Sequence, residues 1–308
     1  MPARTGSAGQ TLFALFVLVV GLLVFAQTAP SFRDQLGQWG KDPSIHEPTI
    51  ISRSPPGHSP HETGAIAREL IYTVRGHEDV VPFTLYEGVY YAVPARIVGY
   101  AGDDKAARYR RVVGEQLGRP YICDLATTIE SMTEEPDGRA RIAVSLVQHL
   151  GYDHERAASA YYGVQYPYET LCLGMGVCSD RSVLLGRCSA SSDSAWRSWS
   201  SAPRSTWPSG SSCPDGYDFR GTGYAFVESA GAKITTDAGG TYAGGDRLVS
   251  VPEVIPVAEG RAFASIATEA MDAAEWNELR GMSTNLDSYH YSRWQGLCRE
   301  YGLRTTPD

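Results

Sequence analysis

The residue best placed by its sequence surroundings to do covalent chemistry is Cys178. Gly174 and Gly176 lie just before it, and Ser179 and Asp180 follow it, which are residue types suited to the first turn of a helix. A cysteine at a helix N-terminus feels the positive end of the helix dipole, which favours the nucleophilic thiolate. The pattern therefore predicts a nucleophile or, in the plainer interpretation, a small buried cysteine after a glycine turn.

The segment around Cys178 resembles the transglutaminase-like superfamily, a branch of the papain-like cysteine enzymes. There, a Tyr-Pro-x-Glu-Thr-Leu run precedes a Gly-rich turn, then Cys-x-Asp-Lys/Arg-Ser and an aliphatic helix. Here the first run spans 166–171, and the second runs from Cys178 to Ser182. The resemblance implies an α+β fold in which Cys178 begins a helix packed on an antiparallel sheet. It also implies cysteine-dependent acyl hydrolysis or transfer on peptide or amide substrates.

Cysteine catalysis also requires a base and a third group that orients the base. The superfamily places its acid on a strand, in an aromatic-x-aromatic-Val-Asp/Glu segment, and residues 224–228 (Tyr-Ala-Phe-Val-Glu) match it. Their alternation predicts a strand, and the resemblance implies that Glu228 is the acid. An exposed glutamate at a strand end is the alternative. The resemblance places the base after the Cys178 helix, which argues against His149 and His154.

The histidine segment expected between Cys178 and Glu228 is missing. Residues 187–213 contain no Val, Ile, Leu, Met or Phe, but eleven serines and three tryptophans. Both the rest of the helix and a core strand require an aliphatic period. The window therefore predicts a long Ser-rich loop instead of either element.

A loop of this length is unusual inside a compact domain, so we infer a local shift of reading frame over about 187–212. We take GC-rich codons for residues 187 onward and read the last base of each codon together with the first two bases of the next codon. The amino-acid sequence that results can be LLRELGLGVALLEFGPPEHMAVGI. That sequence contains an aliphatic helix, a strand and a histidine on a second strand. The Trp207-Pro208 pair must give Ala, and the Ser205-Thr206 pair can give His. A sequencing error and a decayed gene are the alternatives for its origin.

The N-terminal part predicts attachment to a membrane. Residues 1–10 form a polar tail, and the apolar run at 11–29 is just long enough to span a bilayer as a helix. This predicts a signal anchor, although a cleaved signal peptide has the same outline. Residues 30–62 contain six prolines and predict a linker. These segments predict a single-pass membrane protein whose catalytic domain is extracytoplasmic.

The rest of the chain is predicted to divide into three parts. Residues 63–132 form an accessory α/β region, where a short helix that starts from Glu62 and carries Ile66, Leu70 and Ile71 precedes a hairpin of strands around Glu87. Residues 133–250 form the transglutaminase-like core implied by the resemblance, and 251–308 form a C-terminal helical extension. Apolar periodicity predicts further helices at 103–117, 120–132, 139–150, 267–281 and 286–301.

Net charge and cysteine spacing limit the kinds of partner and cofactor that the chain is expected to bind. A formal net charge of −8 argues against a nucleic-acid partner. The six cysteines form no CxxC pair, so no zinc site or other cofactor is predicted, and their irregular spacing does not indicate a disulfide framework. The expected partners are a peptide or protein substrate and the membrane. The sequence thus predicts a membrane-anchored cysteine hydrolase, peptidase or acyltransferase, with a catalytically inactive anchored binding or structural domain as the alternative.

Overall fold

The architecture is α+β, with helices packed around small sheets that are mostly antiparallel. The predicted tail, apolar run and most of the linker lie outside the residues that the structure describes. No helix within the described ranges is both long and apolar enough to cross a membrane. The structure, a computed structural model, describes residues 60–93, 105–159, 163–190, 196–200, 209–242, 245–258, 261–282 and 285–303.

The first described elements correct two predictions. Strands β1 (Ala65–Val74) and β2 (His77–Tyr86) form an antiparallel hairpin, so the short helix predicted from Glu62 is wrong. The predicted turn at Glu87 is also wrong, because helix α1 (Glu87–Ala92) begins there. The chain instead turns at Arg75 and Gly76, with φ of 50° and 77°. Two successive positive φ angles give the twist that a two-residue hairpin needs.

Three helices then build the largest core. They are α2 (Lys105–Val113), α3 (Arg119–Met132) and α4 (Pro136–His149), close to the predicted bounds. Helix α4 begins earlier than predicted because its proline occupies the first turn, where no N–H is required. It is buried on most sides, because β1, α3 and the helix that begins at Cys178 all pack against it.

The segment around Cys178 folds as a compact series of short elements. They are β3 (Gly151–Tyr152), α5 (His154–Ala158), α6 (Pro167–Leu173), β4 (Met175–Gly176) and α7 (Cys178–Ala190). Strands β3 and β4 pair in parallel. The predicted apolar face of α7 is confirmed, since Val183, Leu184 and Leu185 are fully buried in the largest core.

The Ser-rich window is not the loop that was predicted. Helix α7 continues to Ala190, and strands β5 (Trp196–Ser200) and β6 (Ser209–Ser212) follow. Together with β7 (Tyr224–Val227) and β8 (Glu253–Ala258) they form an antiparallel sheet in the order β7-β6-β5-β8. Main-chain hydrogen bonds hold this sheet, and they do not require aliphatic side chains.

Two C-terminal helices close the fold and confirm their predictions. Helices α8 (Ala267–Met282) and α9 (Ser288–Tyr301) meet through stacked rings of Trp276 and Trp294, whose centroids are 4.0 Å apart. Arg141 of α4 forms a buried ion pair with Glu269 of α8. Helix α8 is therefore fixed to the same helix that reaches the candidate site.

Candidate active site

Cys178 occupies the first position of α7, as the sequence predicts. Asp180 Oδ2 accepts a hydrogen bond from the backbone N–H of Val177 at 2.9 Å. This is the reach-back half of a capping box, which fixes the turn entering the helix. The Cys178 residue is 6% exposed, so the nucleophile position is largely enclosed while its backbone lies at the positive end of the helix dipole.

The side chain of Asp180 holds three neighbouring segments of the chain together. Besides Val177, its Oδ2 accepts from Arg156 Nη1 at 2.6 Å, and its Oδ1 accepts from the backbone N–H of Gln165 at 2.7 Å. Burial raises the pKa of Asp180, while the Arg156 cation and the hydrogen bonds act in the opposite direction. The carboxylate thus links α5, the segment before α6 and the start of α7.

The two glycines before Cys178 have separate roles. Gly174 ends α6 with φ of 66°, a left-handed conformation that favours glycine. At Gly176 a Cβ atom would lie 3.0 Å from Asp180 Cβ and 3.2 Å from Thr170 Cγ2. Gly176 is therefore required by close packing beside the Asp180 carboxylate.

Arg181 is the most enclosed cation next to Cys178, at 1% exposure. Its Nε donates to the carbonyl of Gly176 at 3.1 Å, its Nη1 to that of Ser229 at 3.1 Å, and its Nη2 to that of Leu150 at 2.5 Å. Its guanidinium carbon lies 5.5 Å from the centre of the Tyr152 ring. One side chain thus joins the nucleophile turn, the end of α4 and the segment after β7.

Glu228 follows β7 directly and is 3% exposed, so it is not the exposed glutamate of the alternative interpretation. Its Oε1 accepts from the backbone N–H of Ala230 at 2.8 Å. Its carbonyl oxygen accepts from Gln148 Nε2 at 2.8 Å, which connects it to α4. The side chain and backbone of Glu228 are both held in place.

Ser229 connects the two predicted site residues. Its Oγ donates to the carbonyl oxygen of Cys178 at 3.4 Å and lies 3.1 Å from Ser182 Oγ. The residue next to Glu228 therefore contacts the backbone at the first turn of α7, although Cys178 and Ser229 lie fifty-one residues apart in the sequence.

Behind Glu228 lies a buried ion pair that the sequence analysis missed. Lys233 Nζ lies 2.8 Å from Asp237 Oδ2, which also accepts from Asn277 Nδ2 at 2.9 Å. Burial lowers the pKa of Lys233, and Asp237 opposes that change. The backbone N–H of Lys233 donates to Gln148 Oε1 at 3.4 Å, so Gln148 connects this pair to Glu228. The sequence signal for this ion pair was a lysine four residues before an aspartate.

Strand β6, which pairs with the strand before the predicted acid Glu228, carries no histidine. Strand β6 pairs with β7 so that Ser209 lies opposite Val227, the residue before Glu228. The sequence from 187 to 213 contains no histidine. His149 Nδ1 lies 2.8 Å from the carbonyl of Ser145, within its own helix. The ring of His154 is exposed and packs against Tyr152, with centroids 4.9 Å apart.

The cysteines other than Cys178 do not resemble nucleophiles. All six cysteines are thiols, and no disulfide joins them. Burial raises the pKa of Cys172 to about 11 and that of Cys188 to about 12. Across the described ranges, no three His, Cys, Asp or Glu side chains are grouped to hold a metal ion. Comparison of the chain with protein-family models, curated proteins and solved structures gave no match.

Proposed function

We propose that the chain is a membrane-anchored protein of the transglutaminase-like superfamily. Its ancestral chemistry is cysteine-dependent acyl hydrolysis or transfer on peptide or amide substrates, with Cys178 as nucleophile and Glu228 as the acid. The observation that carries the proposal is the Ser229 link, which holds the residue next to Glu228 against the first turn of α7. The α+β architecture, with α7 beside an antiparallel sheet, is the arrangement that the superfamily resemblance implies.

The chemistry assigns one role to each group. The Cys178 sulfur attacks the substrate carbonyl, the C–N bond breaks, and a thioester forms as the amine leaves. A base takes the thiol proton and delivers it to the departing amine, and Glu228 orients that base. Water or a second amine then attacks the thioester, which distinguishes hydrolysis from transfer.

The second candidate is a catalytically inactive anchored domain. It is favoured by one observation: the described part of β6, next to the acid strand, reads Ser-Gly-Ser-Ser from Ser209, and no histidine occurs from 187 to 213. Without a base, the leaving amine is not protonated. The chain as printed is therefore expected to retain the nucleophile but to turn over amides poorly.

The order of elements supports the inference of a shifted frame. Between Cys178 and β7, the strand that ends just before Glu228, the described chain completes a helix and then forms two strands, β5 and β6. The regrouped sequence supplies an aliphatic helix, a strand and a histidine-bearing strand in the same order. Resequencing the gene across codons 186 to 213 tests it directly. A frame that is intact, with no compensating pair of insertions or deletions in related strains, would sink the inference.

The enzymatic proposal is tested by restoring the window. The full chain is prepared as printed and with the regrouped sequence over about 187–212, and acyl transfer from peptide amides to hydroxylamine is measured as hydroxamate. We expect the regrouped chain to be about 100-fold more active, since a positioned base contributes about 10²–10⁴-fold. The matched controls are the regrouped chain with Ala in place of its histidine, and Cys178→Ser. Equal activity in the regrouped chain and its Ala control contradicts the triad.

The membrane part of the proposal rests on the apolar run at 11–29. We expect the full chain to sediment with membranes after extraction with alkaline carbonate, and a chain lacking residues 1–29 to remain in the supernatant. Release of the full chain by carbonate alone contradicts an anchor. Protection of the C-terminal part from protease added to intact cells contradicts the extracytoplasmic orientation.

A further inference from the structure

A polar cavity of about 300 Å³ lies where β1, α4, α8 and α9 meet. Ligand sites in proteins have volumes of roughly 300–1,000 Å³, so this cavity suits a small molecule. Cys178 and Glu228 are not among the described residues that line it. Four hydroxyl side chains do line it, those of Thr73, Thr235, Ser265 and Thr268. The cavity is therefore a polar chamber whose wall is built from other residues than the candidate active site.

Two buried charged side chains in the wall each keep one polar atom without a hydrogen bond. Arg141 and Glu269 pair with each other, and each is 5% exposed. Arg141 Nη2 donates to the carbonyl oxygen of Ser265 at 2.6 Å, and the Phe263 ring lies 5.0 Å from the guanidinium carbon. Among the described residues, Arg141 Nη1 and Glu269 Oε2 nevertheless have no partner. Such atoms are costly, because they have lost water and gained no other hydrogen bond.

The charged groups that line the cavity are balanced in sign. Within the described ranges they are two cations and two carboxylates, Arg75, Arg141, Glu269 and Glu300. A multiply charged anion such as phosphate would meet carboxylates as well as cations, so repulsion would offset much of the attraction. A ligand that carries one group of each sign can contact both kinds of residue.

Glu300 on α9 supplies a carboxylate that has room for a ligand. Its side chain is half-buried and, among the described residues, takes part in no hydrogen bond or ion pair. Burial raises the pKa of its carboxyl, and the nearby Asp272 carboxylate adds to the rise. Arg293 acts in the opposite direction, but its guanidinium already contacts Asp272 at 2.5 Å and Glu275 at 2.8 Å. A further cation beside Glu300 would favour its charged form.

We propose that this cavity binds a free α-amino acid, whose carboxylate contacts Arg141 and whose ammonium group contacts Glu300 and Glu269. An α-amino acid with an uncharged side chain has both charged groups on one carbon atom, no net charge and a small volume. Arg141 Nη1 and Glu269 Oε2 are shielded from solvent, so binding includes a small rotation of these side chains toward the cavity. The binding does not require Cys178, so it holds whether or not the proposed enzyme is active.

The test is isothermal titration calorimetry of the full chain with L-serine, and then with each other common L-amino acid whose side chain is uncharged. Analogues of the best-binding amino acid are the ligand controls. For serine, 3-hydroxypropanoate lacks the amine, ethanolamine lacks the carboxylate, and N-acetylserinamide lacks both charges. We expect saturable binding of at least one amino acid at millimolar concentration or below. Each analogue should bind at least about tenfold more weakly, because it loses a hydrogen bond to a charged group.

Variants locate the binding in this cavity. In Glu300→Gln, we expect the amino acid to bind at least about tenfold more weakly, while the analogue without an amine binds as it does to the wild type. Glu278→Gln is the matched control, since it makes the same change on the exposed face of α8, and we expect no effect on binding. Arg141→Lys should weaken binding of the amino acid but not of the analogue without a carboxylate.

Three outcomes would overturn the proposal. The first is the absence of saturable binding for every amino acid in the series. The second is an analogue without an amine or without a carboxylate that binds as tightly as the amino acid. The third is equal affinity in Glu300→Gln and Glu278→Gln, which would place the binding elsewhere. If Arg141→Lys does not fold, Glu300→Gln and the analogues decide, because they leave the buried Arg141 in place.

Discussion

Two neighbouring regions of the candidate site are built differently: 166–186, around the proposed nucleophile, and 187–212, where the superfamily resemblance places the base. In the first region, called the nucleophile side below, side chains hold the backbone: Asp180 and Arg181 together contact six main-chain or side-chain groups of other residues. In the second region, the described strands β5 and β6 are held by main-chain pairing. Among the described residues, none of these six hydrogen bonds reaches 187–212, which teaches that the nucleophile side is held without side-chain contributions from the second region.

The largest effect is expected from removing the Asp180 carboxylate, which organises the nucleophile side. In Asp180→Ala, the N–H groups of Val177 and Gln165 and the Arg156 cation lose their acceptor in a buried place. We expect a loss of about 3–5 kcal/mol in the free energy of unfolding, as for breaking a buried ion pair. Urea denaturation measures it.

The matched control for Asp180 is Glu155→Ala on the exposed surface of α5, where we expect a change of less than about 0.5 kcal/mol. Equal stability of the two variants would mean that the Asp180 contacts do not support the fold.

A smaller effect is expected at the glycine turn. In Gly176→Ala, the new Cβ lies 3.0 Å from Asp180 Cβ, so the helix start must shift, with a loss of about 1–3 kcal/mol. Thermal denaturation measures this loss.

Gly281 provides the control glycine. It lies in α8, and a Cβ there would meet nothing within 4 Å. Gly281→Ala should therefore be neutral or stabilising by up to about 1 kcal/mol, because alanine favours a helix. If both glycine variants have the same thermal stability, the close packing at Gly176 does not restrict the residue at that position.

A modest loss of stability is expected when Ser229, which links the segment after β7 to the start of α7, is replaced. Ser229→Ala removes the hydrogen bond to the Cys178 carbonyl and the contact with Ser182. We expect a loss of about 1 kcal/mol, as for an ordinary hydrogen bond. In the chain with the regrouped window, hydroxamate formation should fall, because Glu228 is less firmly held beside α7. Unchanged activity in that background would show that the link is structural only.

The smallest effect at neutral pH concerns three thiols that are fully or partly buried, since Cys172 and Cys188 are buried and Cys213 is half-buried. Burial raises the pKa values of Cys172 and Cys213 to about 11 and that of Cys188 to about 12. A raised folded pKa means that their contribution to stability is complete below the ordinary thiol pKa and is lost as the pH rises through the folded values. We expect constant stability from about pH 7 to 8 and a decline above about pH 9. Calorimetry checks the decline, and replacement of Cys188 by Ala should reduce it.

The sequence predicted the parts that depend on local pattern. The start of α7 followed from the glycine, cysteine and aspartate spacing, and β7 followed from the alternation before Glu228. The hairpin of β1 and β2 was missed because Arg75 and Gly76 are not a standard two-residue turn pair. The strands of the window were missed because residues 187–213 lack the aliphatic residues by which a core strand is recognised, and because one partner strand, β8, is distant in the sequence.

The interactions of Arg181 and Lys233 lie beyond local pattern for another reason. A sequence shows a charged residue but not its burial, and charged side chains are usually exposed. Only the folded chain reveals that Arg181 reaches carbonyls of residues as far away as Leu150 and Ser229. The acid and nucleophile assignments came from the superfamily resemblance, and they stay predictions.

One contact made by the last described helix bears on how the chain matures. The backbone N–H of Gly76, in the turn of the first hairpin, donates to the carbonyl of Glu300 near the end of α9, at 2.9 Å. Residues this far apart in sequence meet late, so the hairpin reaches its final packing only after α9 has been synthesised. Removal of α8 and α9 would leave β1 exposed to proteolysis.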